Sequence, residues 1–286
     1  MKISGFSFVR NAISNGYPLR ESILSLLPLV DEYVIAVGDS DDDTLGVIQS
    51  LNSAKIKVIQ TTWNEQMTDR GFVYGQQKMI AQYNCTGDWL FYLEADEIVH
   101  ERDLPLIRSQ LEAYHDKSEV EAIYFDFLHF YGSPSFLGVA GYRQAPRVIK
   151  SSVRSIAPDG LFFVVLDENK KGRYPVAVSA GCPIYHYGHC RKIGYTNKKL
   201  SEVGRFWGHS HSPRRGYEYI SRYEIKRFEG THPLIMKDWL ENSAEVEFEP
   251  DLNYHMSFRD HRNRLRFWLE SKFGLEISKK HFKKYD

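Results

Sequence analysis

Trp89-Leu90-Phe91-Tyr92-Leu93-Glu94-Ala95-Asp96-Glu97 runs five apolar residues straight into three acids. The apolar run has the length and aromatic content of a strand buried on both faces. Open parallel sheets collect their ligands beyond the carboxyl ends of strands, where Glu94, Asp96 and Glu97 would stand. Carboxylates so placed suit Mg²⁺ or Mn²⁺, hard cations that take oxygen ligands and bridge to phosphates. The plainer alternative is a solvated acidic turn ahead of a helix beginning near Asp103. The flanking sequence decides between them.

On the N-terminal side, Ile3 to Val9 reads as a strand, followed by a helical stripe of Leu19, Ile23, Leu26, Leu27 and Val30. Tyr33 to Val37 and Ile56 to Ile59 are short runs of β-formers. Gly71 to Tyr83 predicts a helix with Phe72, Gly75, Met79 and Tyr83 facing inward. Beyond the acids, Leu104, Ile107, Leu111 and Tyr114 form another stripe, and Ala122 to Phe130 returns to strand. Such alternation predicts an α/β domain with a largely parallel sheet flanked by helices. Glycine, proline and aromatic residues interrupt Tyr131 to Gly188, which reads as short strands and loops. Helix resumes near Tyr195 and again from Phe258 to Phe273. No repeat or linker is visible. Residues 1–190 are read as the catalytic domain and 191–286 as a helical extension packed on it.

The 286 residues can bury a substantial core, and a hydrophobic fraction of 42% with 26% charged is ordinary for a globular chain. No apolar run approaches membrane-spanning length, and no signal peptide is evident. Three cysteines are an odd number that fits a reducing, cytoplasmic setting. A net charge of zero gives no general affinity for nucleic acid. Arg259 to Asp286 nevertheless carries nine lysines and arginines against four acids. Leu265, Trp268, Leu269 and Phe273 share a face there, with Arg262, Arg264, Arg266 and Lys272 nearby. That segment can pack on the catalytic domain, the preferred reading, or touch a membrane surface from outside.

Three segments, in order, resemble the family 2 glycosyltransferases. Phe8-Val9-Arg10-Asn11-Ala12 resembles the family's opening VRNE-type segment. Val37 to Thr44, VGDSDDDT, resembles its VDSGSTDGT segment, and Gly87 to Glu97, GDWLFYLEADE, resembles GDWVLxLDADE. The resemblance implies a GT-A fold, a nucleotide-diphosphate sugar donor, a glycan or lipid-linked acceptor, and Mn²⁺ or Mg²⁺. Asp39 would contact the base or ribose, and Asp96 the metal. Glu94 replaces the motif's first Asp and keeps a carboxylate one methylene further out. Ala12 stands where many members have an acid, and Arg10 and Lys78 can instead neutralise the diphosphate. Asp42, Asp43 and Thr44 also read as a turn and helix cap.

Cys182 to Cys190, CPIYHYGHC, is dense in metal-ligating types, but it lacks the CxxC pair of a structural zinc site. IYHYG resembles a segment of family 2 relatives, and His186 is the candidate that completes the metal's coordination. The GTHP of Gly230 to Pro233 reads as a helix start, with Leu234, Met236 and Trp239 packing behind it. Inverting transfer needs a base for the acceptor hydroxyl. Asp126, Asp159, Asp167 and Glu168 are available, and Asp167-Glu168 is preferred. Two other functions compete. A sugar-1-phosphate nucleotidyltransferase would need a glycine-rich loop after the first strand, yet Phe8 to Gly16 has one glycine. A non-catalytic nucleotide- or glycan-binding protein on a degenerate transferase scaffold is the other.

Overall fold

The computed structural model describes residues 1–138, 142–208, 225–245, 255–275, 277 and 280–285. Of the basic C-terminal run, Glu276, Lys279, Asp286 and the side chain of Arg259 fall outside them. The first half follows the alternation of its sequence: β1 (Ile3–Val9), α1 (Leu19–Leu26), β2 (Glu32–Gly38), α2 (Thr44–Ser50), β3 (Ile56–Thr61), α3 (Phe72–Tyr83), β4 (Trp89–Tyr92), β5 (Glu97–Val99), α4 (Leu104–Ala113) and β6 (Ala122–Tyr131). The middle adds β7 (Ser133–Gly138), β8 (Gln144–Lys150), β9 (Ser155–Ile156), β10 (Val164–Leu166), β11 (Gly172–Arg173) and β12 (Val176–His189). After these come α5 (Ile193–Phe206), β13 (Ile225–Arg227), α6 (Lys237–Asn242), α7 (Phe258–Phe273) and β14 (Lys283–Lys284).

β3, β2, β1 and β4 lie side by side and parallel, so their carboxyl ends share one edge. β8 joins β4 antiparallel, β6 joins β8 antiparallel, and β12 runs parallel to β6. The expected α/β architecture is present, with a parallel half widened by antiparallel strands. Along β4 the side chains alternate between two cores. Trp89, Phe91 and Leu93 join Ile23, Leu26, Ile107 and Leu111 on the α1 and α4 side. Leu90 and Tyr92 join Phe6, Val34 and Ala81 on the α3 side. A strand covered on both faces gains about 1.5–3 kcal/mol from each large side chain fully buried, which explains the unbroken apolar run.

Several expectations are corrected. The stretch Tyr131 to Gly188 contains a 14-residue strand, β12, whose apolar alternation is masked by Gly181, Pro183 and the register shifts against β6. α3 turns Val73, Gln77, Lys78 and Ala81 inward, while Phe72 and Tyr83 are exposed. Gly75 faces inward as expected, and a Cβ there would meet the Ala157 carbonyl at 2.3 Å. Leu234 is exposed, whereas Met236 and Trp239 are buried as expected. α7 packs through Glu270, which pairs with Arg143 at 3.0 Å, and through Phe267 beneath the same guanidinium. Its Leu265, Trp268 and Phe273 face solvent. Among the described residues no helix is long and apolar enough to cross a membrane.

Candidate active site

All four parallel strands end at one cavity of about 580 Å³. β1 contributes Arg10 and Asn11, the β2–α2 loop Asp41, the segment after β3 Trp63, and the segment after β4 Glu94, Ala95 and Asp96. The facing wall comes from α5, with Lys199, Glu202 and Phe206. This volume and its mixed lining suit a ligand of nucleotide-sugar size.

The acidic segment is held from both sides. β5 pairs antiparallel with β12 and puts Glu97 opposite His186, while Tyr187 N–H donates to the Asp96 carbonyl at 2.9 Å. Glu97 turns away from the cavity into a bidentate pair with the wholly buried Arg147, at 2.6 and 2.8 Å. Glu94, Asp96 and His186 each offer a ligand atom, all within 4.8 Å of one another. His186 Nε2 lies 3.5 Å from Asp96 Oδ1. Asp96 Oδ2 accepts from Arg191 at 2.7 Å and from Lys199 at 2.8 Å. Burial pushes the Asp96 carboxyl up, but Lys199, His186 and Arg191 outweigh it and hold the group ionised, well below its usual range. Burial and the neighbouring Glu97 push Glu94 up to about 8.

The donor set fits a divalent cation. Two carboxylates and one imidazole converge, and Asp96 Oδ1 faces an imidazole nitrogen at a spacing that two ligands of one ion can adopt. The other His186 nitrogen, Nδ1, lies 2.7 Å from His129 Nδ1. Close approach here requires glycine at 188, since a Cβ would stand 2.5 Å from the His186 ring and 3.3 Å from Asp96 Oδ2.

The remaining expected residues separate. Arg10 lines the cavity, donates from Nε to the Asp39 carbonyl at 2.8 Å and pairs with Glu65. Asp39 itself is exposed outside the lining, and its carboxylate accepts from Thr62 at 2.8 Å; its neighbour Asp41 is the lining acid. Asp42 ties the first two loops together by accepting from Ser14, as does Thr44 by accepting from Ala12 N–H. Lys78 does not reach the cavity: its ammonium is buried 4.0 Å from the Tyr92 and Phe163 ring centres. Asp167 and Glu168 are also remote, because Asp167 closes the β10–β11 turn by accepting from Lys171 N–H and Glu168 is exposed beside it. Asp126 is exposed and bound by Gln144, and Asp159 accepts from Leu161 N–H in its own turn. In the GTHP segment, His232 Nδ1 lies 2.8 Å from Tyr187 OH within an aromatic cluster with Phe130 and Phe228.

Sequence reading missed Arg191 and Lys199, because a basic residue a hundred positions from the acids has no local signature. It also missed Trp63 and Tyr92 as cavity walls.

No family model matches the chain. A curated relative from Rickettsia felis, an uncharacterized glycosyltransferase, is 30% identical over 96 residues, which is 34% of this chain and 29% of the relative. The chain therefore spans less than a third of that relative's length. Among solved structures, Staphylococcus aureus TarS aligns with a TM-score of 0.43 at 16% identity, covering 71% of this chain and 39% of that one. Glucosyl-3-phosphoglycerate synthase from Mycobacterium tuberculosis, crystallised with Mn²⁺, UDP and glucosyl-3-phosphoglycerate, aligns with a TM-score of 0.33 at 18% identity, covering 44% of each chain. By sequence, the chain is similar to a glycosyltransferase over a third of its length.

Proposed function

We propose that this chain is a metal-assisted, inverting glycosyltransferase that moves a sugar from a nucleoside diphosphate to an acceptor hydroxyl. One observation carries the reading: a nucleotide-sized cavity at the carboxyl ends of four parallel strands holds Glu94, Asp96 and His186 together. In this reading residues 1–190 form the catalytic domain, and the extension 191–286 supplies Lys199 through α5. The nucleoside lies between Asn11, Asp41 and Trp63, with Asp39 steadying Arg10 beside it.

Glu94, Asp96 and His186 would hold Mn²⁺ or Mg²⁺, which when bound supplies positive charge against the developing charge of the leaving diphosphate. Lys199 and Arg10 add cations from two sides of the cavity. The acceptor's proton passes to a cavity carboxylate outside the metal set; among the described residues these are Asp41 and Glu202. The exposed Leu265, Trp268 and Phe273 of α7, with Arg262 and Lys272, support an acceptor met at an anionic lipid surface.

Thermal shift with nucleoside diphosphates and their sugars, with and without Mn²⁺, followed by turnover assays, tests the proposal. A metal-dependent rise with one nucleotide and release of its diphosphate are expected. Binding without turnover of any donor would move the assignment to a non-catalytic binding protein.

A further inference from the structure

His129 has no part in the function above, yet it sits beside the candidate metal ligand. β6 and β12 run parallel with His129 in register with His186, so the two rings meet edge to face, 4.9 Å apart. His129 Nε2 lies 2.7 Å from the Tyr142 carbonyl, and His129 Nδ1 lies 2.7 Å from His186 Nδ1. A carbonyl only accepts, so His129 Nε2 carries the hydrogen. A neutral imidazole has one N–H, which leaves His129 Nδ1 as an acceptor. His186 therefore donates from Nδ1, which leaves Nε2, 3.5 Å from Asp96 Oδ1, as the nitrogen that faces the candidate cation site.

We propose that His129 is a positioning residue that locks His186 in the Nδ1–H tautomer, so that Nε2 is free to bind a divalent cation shared with Asp96. The inference rests on the metal-assisted reading of the site. It extends the metal centre one shell outward, to a chain of Tyr142 carbonyl, His129 and His186 anchored on backbone. Ligating histidines depend on such partners, whose loss weakens metal affinity by about 10–100-fold.

The test has two independent readouts. Long-range ¹H–¹⁵N NMR of the metal-free wild type reports the His186 tautomer, and calorimetric titration with Mn²⁺ alone reports affinity. The Nδ1–H form is expected for His186 in the wild type. His129→Phe removes the acceptor and should weaken Mn²⁺ binding by about 10–100-fold. His129→Gln, whose amide can accept from His186 and donate to Tyr142, should restore most of it. An Nε2–H tautomer in the wild type, or His129→Phe and wild type binding Mn²⁺ equally, overturns the inference. If His129→Phe does not fold, His129→Gln and the wild-type tautomer still decide it. Wild type that shows the Nδ1–H form but binds no Mn²⁺ overturns the metal reading while supporting the lock.

Discussion

Arg191, wholly buried, donates from one guanidinium nitrogen to Asp96 Oδ2 at 2.7 Å and to the Gly188 carbonyl at 3.1 Å, and from another to the Asn15 carbonyl at 2.7 Å. It joins the acidic segment after β4, the loop after β1 and the end of β12, three parts of the chain brought together only by the fold. Removing one partner of such a buried pair strands the other charge. Arg191→Met should lower unfolding stability by about 3–5 kcal/mol in urea titrations. Asp96→Asn should abolish transfer and also lower stability, because Arg191 and Lys199 lose their common anion. Full activity in Asp96→Asn would end the proposed mechanism.

Gly188 tests how tightly the metal cluster is packed. Gly188→Ala introduces a methyl 2.5 Å from the His186 ring, so the ring must turn out of line with Asp96. Overpacking of this size costs about 1–3 kcal/mol, and Mn²⁺ affinity should fall more than stability does. Calorimetric titration beside thermal melting separates the two effects.

The two lysines near the acids should behave in opposite ways. Lys78 is caged by Tyr92 and Phe163, and burial, with Arg147 nearby, pushes its ammonium well below the ordinary lysine range. Lys78→Met should leave the donor KM unchanged and stability equal or higher by up to about 2 kcal/mol. Lys199 lines the cavity. Lys199→Met should raise the donor KM about tenfold, the equivalent of about 1.4 kcal/mol. Steady-state kinetics on both variants checks the contrast.

Acid stability has a defined contributor away from the site. Burial raises the Glu32 carboxyl, but Lys57, Ser4 and Thr86 donate to it and bring it down to about 2. A carboxyl lowered on folding adds stability that is present above about pH 4.5 and is lost as the pH falls toward 2. Glu32→Gln should cost about 1–2 kcal/mol near neutrality and melt with a flatter slope between those values. Chemical denaturation across that interval reads the difference.

Much of the architecture was legible along the chain. Strands buried on both faces are near-continuous apolar runs, so β2 and β4 announced themselves, and the acids after Tyr92 announced the end of a strand where ligands gather. The cluster of Glu94, Asp96 and His186 was legible through residue type and resemblance. Helix facing was less so: Lys78 and Phe72 exchanged their expected environments, because Tyr92 and Phe163 offered the ammonium an aromatic cage that no periodicity records.

Local pattern alone determined where strands stop and which residue types can bind a cation, since both depend on neighbours a few positions apart. Tertiary structure alone decided which cations meet Asp96, which histidine backs His186, and that Asp167 and Glu168 stand away from the cavity. Those outcomes depend on the register of β12 against β5 and β6 and on the placement of α5, which are set by packing between segments distant in sequence.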